Sequence, residues 1–233
     1  MSLTPTYFVN IAVSVAVVMW AATLHEVAHG YVAYRCGDPT AKNAGRLTLN
    51  PLKHLDLFGS VILPLVMALL GGPVFGYAKP VPYNPNNLRH RRRDEVLVAM
   101  AGPASNLLQA LLGMVVWRIW LQADPAFLLA SSGAGYWVCD VLTLYVWVNL
   151  ILCFFNLIPL PPLDGSHLIA FFLHGRALDG YYKLSQYSMP LLIVLLYLLP
   201  DFLHVDPLGV YFNATAGSLY DLMMYTNLPW GLS

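Results

Sequence analysis

His25 and His29 stand four residues apart, with Glu26 directly after the first, in the run His25-Glu26-Val27-Ala28-His29. On an α-helix, positions i and i+4 lie one turn apart on the same face, so two imidazoles at this spacing can share one metal ion. Zinc accepts such ligands through one ring nitrogen each, at about 2.0–2.1 Å. Glu26 lies about 100° further round the helix. That is too far round for an obvious third ligand, but well placed to take a proton from an activated water. The chain holds only two glutamates and seven histidines. Chance would produce this pattern in roughly two of a thousand such chains, so it outranks most short motifs.

A catalytic zinc site uses three protein ligands and keeps one position open. The third must come from elsewhere in the chain. Most acidic residues stand in loops or tails, but Asp164 does not. It closes the run Asn156-Leu157-Ile158-Pro159-Leu160-Pro161-Pro162-Leu163-Asp164-Gly165, in which three prolines force a non-helical passage just after an apolar stretch. Irregular backbone at membrane depth is tolerated only when buried in protein or lining a wet cavity. The alternative for Asp164 is a carboxylate that caps the helix following it.

The elements that must position these residues are apolar. The chain has 233 residues, 58% hydrophobic and only 10% charged, against about 25% charged in soluble domains. This composition predicts an integral membrane protein. Stretches able to span a bilayer run from about 7 to 34, 96 to 121, 137 to 158 and 184 to 199. A shorter stretch, 57–75, is interrupted by Pro64 and ends at Gly71-Gly72-Pro73, which suits a re-entrant element. With that element returning to the side it left, 11 of the 12 Lys and Arg residues fall on the cytoplasmic side, Arg118 excepted. Both termini then lie outside, and residues 201–233 form an outer tail with no Lys or Arg.

The predicted fold class is therefore an all-α integral membrane protein with four to six transmembrane helices. To these are added the re-entrant element and a short membrane-associated β-hairpin from Arg46–Asn50 and Tyr77–Tyr83, the latter confined to an edge by Pro80 and Pro82. The chain reads as one domain, 1–233, with a catalytic core at about 7–175 and a last span and tail at about 176–233. Cys36, Cys139 and Cys153 form no paired framework and read as packing residues. The basic run Arg89–Arg93 reads as a topology anchor on anionic lipid rather than a nucleic-acid site.

The His25–His29 motif in one span and the Asn156–Gly165 motif in a later one together resemble the site-2 protease family of intramembrane metalloproteases. Ala101-Gly102-Pro103-Ala104-Ser105-Asn106 also resembles the family's Gly-Pro element. The matching region covers about residues 7–175, in the minimal form without a PDZ or CBS domain. The resemblance implies one zinc ion at His25, His29 and Asp164, a catalytic Glu26, and an Asn156 that holds substrate backbone or oxyanion. The expected activity is hydrolysis of a peptide bond within or near a transmembrane segment of another membrane protein, in a prokaryotic inner membrane, with the site toward the cytoplasm. Competing readings are a membrane zinc hydrolase acting on another substrate class, or a zinc transporter or scaffold. A transporter would spread its polar sites along a path, whereas here they gather at one depth.

Overall fold

A computed structural model of the chain describes residues 5–56, 79–130, 132–194, 200, 204 and 206–225. The expected re-entrant stretch, 57–75, lies outside the described residues. Among those described, regular structure is entirely helical.

Three helices form the frame: α1 (Pro5–Arg35), α2 (Arg91–Ala123) and α3 (Gly133–Asn156). Each is long and apolar enough to cross a membrane by length and composition. At 1.5 Å per residue even the 24 residues of α3 reach about 36 Å, more than a hydrocarbon core of about 30 Å. Their outward faces carry Phe8, Ile11, Val15, Leu108, Leu112, Val115 and Ile119, all well exposed. The inward faces hold Asn106, Gln109 and Asn149, all buried. This inversion of soluble-protein patterning suits a lipid surround.

Local chemistry sets where each helix begins and how closely it packs. The Asp94 carboxylate accepts from His90 N at the start of α2 (2.9 Å), satisfying one of the unpaired amides there. Asp124 accepts from Phe127 N (2.9 Å) and opens the short turn of helix, Pro125–Leu128, that leads into α3. Gly113 lets α2 and α3 approach, because a Cβ there would stand 3.0 Å from both Tyr145 and Val146 side chains. Between the two helices lies a core of Ala110, Trp117, Leu121, Leu128, Val146 and Leu150.

The chain beyond Asn156 makes a series of turns and enters α4 (Gly165–Phe172), then α5 (Arg176–Ser185). The Arg92 guanidinium ties α4 to the start of α2 by donating to the Phe171 and Leu173 carbonyls. One of the expected topology arginines thus also closes a helix end.

Two expectations change here. Arg46–Asn50 and residues 79–83 form no strand. Side chains satisfy the carbonyls that a ladder would use: Arg46 donates to the Lys53 and Lys79 carbonyls and His54 to the Thr48 carbonyl (2.9 Å). The second change concerns the tail. Residues 207–225 form a continuous helix, α6, wound as α-helix at Pro207–Phe212, as π-helix at Asn213–Gly217 and as α-helix again at Ser218–Tyr225. It packs along the bundle. Tyr211 donates to the Phe154 carbonyl (3.0 Å), Tyr220 meets Trp147 edge to face, and Ala216, Met223 and Met224 join the core between α2 and α3. Arg118, the basic residue left on the far side in the charge count, donates to the Met223 carbonyl near the end of this helix (2.7 and 3.0 Å).

Candidate metal centre

The expected ligands come together. His25 Nε2 and His29 Nε2 lie 3.0 Å apart on the inner face of α1. Asp164 Oδ2 lies 3.2 Å from the first and 3.3 Å from the second. These residues are the one group among the described residues whose donor atoms could hold a metal ion. The three side chains are 9%, 13% and 19% exposed, so the group is largely enclosed.

The spacing fits a small tetrahedral cation. Ligand atoms bonded at 2.0–2.1 Å and tetrahedral angles stand about 3.3–3.4 Å apart. The observed edges, 3.0 to 3.3 Å, form a triangle of nearly that size. Asp164 Oδ2 is buried and makes no well-aligned hydrogen bond to either imidazole. A buried carboxylate oxygen left in this state is costly without a cation. Two imidazoles and one carboxylate are a common zinc donor set.

Hydrogen bonds on the far side of each ring define its tautomer. His25 Nδ1 lies 2.6 Å from Asn106 Oδ1, and His29 Nδ1 lies 2.6 Å from the Val98 carbonyl. Both partners are acceptors, so each Nδ1 carries a proton, which leaves each Nε2, on the side of Asp164, as the ring atom that would ligate a cation. Pro103 leaves the Ala99 carbonyl without its usual helical donor, and the neighbouring Val98 carbonyl serves His29. Gly102 faces the centre directly. A Cβ there would overlap His29 Nε2 and sit 2.6 Å from His25 Nε2. The Gly-Pro element therefore gives the rings space at Gly102 and, through Asn106, an acceptor for His25.

Asp164 reaches the centre because the proline segment folds tightly. Leu163 N donates to the Leu160 carbonyl (2.9 Å) and Ser166 N to the Leu163 carbonyl (3.0 Å). Gly165 packs against main chain, where a Cβ would overlap the Leu157 carbonyl and lie 2.8 Å from that of Ile158. The Asp164 side chain makes no capping bond to α4, so the capping alternative does not describe it.

The remaining expected residues lie nearby in different roles. Glu26 is half-buried, and its Oε2 accepts from Val81 N (2.7 Å). Val81 and Leu47 lie over α1 because Gly30 has no side chain; a Cβ there would be 2.7 Å from each. Asn156 ends α3, and its amide donates back to the Leu152 carbonyl (2.9 Å), leaving one of its two N–H bonds unused by that contact. His167, three residues after Asp164, lines a pocket of about 280 Å³ with Arg91, Arg92, Glu95 and Tyr182. Sequence reasoning placed Asn106 within the Gly-Pro element without a role, and did not single out Asn149 or Val81. Asn106 and Asn149 carried a usable signal, being amides inside long apolar helices.

Comparison with known proteins identifies the family. The family model described as peptidase family M50 matches residues 123–198, the part that contains Asn156 and Asp164. The chain is 39% identical over 189 residues to the Bacillus subtilis protein named "Putative zinc metalloprotease YwhC", covering 81% of this chain and 78% of that one. It is 30% identical over 174 residues to "Putative zinc metalloprotease Rip2" of Mycolicibacterium smegmatis and 30% identical over 172 residues to its Mycobacterium tuberculosis namesake. Those two matches cover 74% of this chain but 62% and 61% of the relatives, so the chain spans under two thirds of their length. No solved structure matches. Likeness on this scale, over most of both sequences in the first comparison, shows that the chain belongs to peptidase family M50, the site-2 protease family.

Proposed function

We infer that this membrane protein is a zinc endopeptidase that hydrolyses a peptide bond within or near a transmembrane segment of another membrane protein. The observation that carries the reading is the convergence of His25 Nε2, His29 Nε2 and Asp164 Oδ2 inside a bundle of apolar helices. These three residues are assigned to one zinc ion per chain. Zinc held there supplies Lewis acidity, which lowers the pKa of water from 15.7 toward about 7.

The chain's own groups do the rest. Glu26 takes a proton from the attacking water and returns it to the leaving amine. The Val81 N–H fixes Glu26 Oε2, which leaves the other carboxylate oxygen for this exchange. Asn156 is assigned to the substrate backbone or the developing oxyanion through the N–H that Leu152 does not engage. Substrate must present an extended backbone, since carbonyls of an intact helix are already bonded. The basic residues flanking α1 and α2, Arg35 and Arg91 to Arg93, support a cytoplasmic placement of this end of the bundle, in a prokaryotic inner membrane.

The test is cleavage of a transmembrane peptide by the purified protein in detergent, with Glu26→Gln beside it. Wild type cuts, loses activity to a chelator and regains it with zinc. Glu26→Gln keeps its zinc and does not cut. Full activity in that variant would refute the assignment of the base. Zinc flux into liposomes without peptide cleavage would favour a transporter, and cleavage of only soluble or lipid-linked amides a different hydrolase.

A further inference from the structure

The centre is held by a relay of amides that starts on main chain. The Tyr145 carbonyl accepts from Asn149 Nδ2 (2.9 Å), Asn149 Oδ1 accepts from Asn106 Nδ2 (2.8 Å), and Asn106 Oδ1 accepts from His25 Nδ1 (2.6 Å). Asn106 and Asn149 are fully buried and His25 nearly so, which leaves no solvent to substitute for a lost partner. The direction of the relay is fixed at its root. A carbonyl can only accept, so Asn149 must turn its NH2 toward Tyr145 and its oxygen toward Asn106. Asn106 must then donate to Asn149 and turn its own oxygen on His25. Rotating either amide by half a turn would set like groups against each other at two contacts.

We propose that Asn106 is a positioning residue for metal binding, which holds His25 in the tautomer and ring orientation that ligate, under the control of Asn149. The proposal rests on the metal site proposed above. The two imidazoles differ in this respect. His29 is oriented by the Val98 backbone carbonyl, which no substitution removes, whereas His25 depends on a side chain from α2 that itself depends on one from α3. The relay therefore makes ligation by α1 conditional on the docking of both other long helices. Interhelical packing alone would not require this polarity, since an apolar pair of similar volume fills the same space at less risk.

The experiment compares zinc affinity, by competition with a chromophoric chelator, in the full-length protein and in Asn106→Leu, Asn106→Asp and Asn149→Leu. Ligand-orienting partners of this kind are worth about 10- to 100-fold in metal affinity. Asn106→Leu loses affinity in that range. Asn106→Asp keeps an acceptor on His25 Nδ1 but loses the donor to Asn149 Oδ1, and so loses affinity by clearly less than Asn106→Leu. Asn149→Leu, which frees the Asn106 amide to turn over, also loses less than Asn106→Leu. The cobalt-substituted protein reports ligand geometry independently: its visible spectrum shifts in Asn106→Leu and holds in Asn106→Asp. If Asn106→Leu fails to fold, the Asp and Asn149 variants still decide the matter. Wild-type affinity and spectrum in folded Asn106→Leu or Asn149→Leu would overturn the proposal, as would equal losses in Leu and Asp. A wild-type protein that binds no zinc would instead overturn the metal site itself.

Discussion

Adding one methyl group at Gly102 is the most economical test of the geometry. In Gly102→Ala the new Cβ would stand 2.6 Å from His25 Nε2 and 2.5 Å from His25 Cε1, and would overlap His29 Nε2. Non-bonded carbon contacts settle near 3.5–4.0 Å, so both rings must retreat by about 1 Å. Metal sites tolerate ligand displacements of about 0.2 Å. Two of three ligands would thus leave bonding range, and zinc affinity should fall by about 100-fold or more. The fold should suffer much less. Overpacking costs about 1–3 kcal/mol, and alanine regains about 1 kcal/mol over glycine inside a helix. The net loss is then about 0–2 kcal/mol. The assay pairs chelator competition for zinc with thermal unfolding of the metal-free protein in detergent. Zinc affinity at the wild-type level in Gly102→Ala would refute the placement of α2 against the imidazole pair. A large drop in unfolding temperature with zinc affinity preserved would mean that Gly102 serves packing alone.

Other outcomes follow from the same geometry. Asp164→Asn replaces an anionic oxygen with a weaker neutral one, and zinc content after dialysis should fall well below one per chain; unchanged stoichiometry would move the third ligand elsewhere. Gly165→Ala forces a Cβ onto the Leu157 carbonyl, which as main chain cannot turn aside; a loss of about 1–3 kcal/mol is expected, and an unaltered unfolding midpoint would contradict the tight fold of the proline segment. Asp38 is buried, and although burial alone would raise its pKa, bonds from Thr40, Asn87 and Asn84 bring it below the ordinary aspartate value. A lowered folded pKa contributes stability that is present above the unfolded value of about 3.9 and lost as pH falls through the folded one. Asp38→Asn should therefore unfold more easily than wild type at neutral pH, with the gap closing below about pH 4; a gap independent of pH would exclude the charge as its source.

The parts of the site that the sequence made legible are those with fixed local geometry. An i, i+4 histidine pair on a helix can only point one way, and a carboxylate at the end of a proline-broken passage has few roles at that depth. The donor atoms meet within 3.3 Å for these reasons. Asn106 and Asn149 were harder to read because their partnership spans 43 residues and two helices, and nothing local to either specifies the other. The helix at 207–225 was obscured by Gly209, Asn213, Thr215 and Gly217, which weaken any apolar period. Its fold comes from tertiary contacts to Trp147, Phe154 and Phe155. The alternating run Arg46–Asn50 misled in the opposite direction. Its polarity suits a strand, but Leu47 lies against Gly30 of α1 while Leu49 is exposed, and arginine and histidine side chains take the place of a neighbouring ladder.

Val81 lies between Pro80 and Pro82, so the stretch 80–82 has a single N–H to offer, and Glu26 holds it. The result is a latch with one polar fastening. Releasing it forfeits one hydrogen bond, about 1.5–3 kcal/mol when the acceptor is charged. Any extended peptide drawn alongside brings amide protons of its own and can restore that loss on arrival. On the proposed function, the two prolines make the covering of the carboxylate exchangeable: firm enough to aim it while the chain is alone, and cheap to swap for a guest backbone.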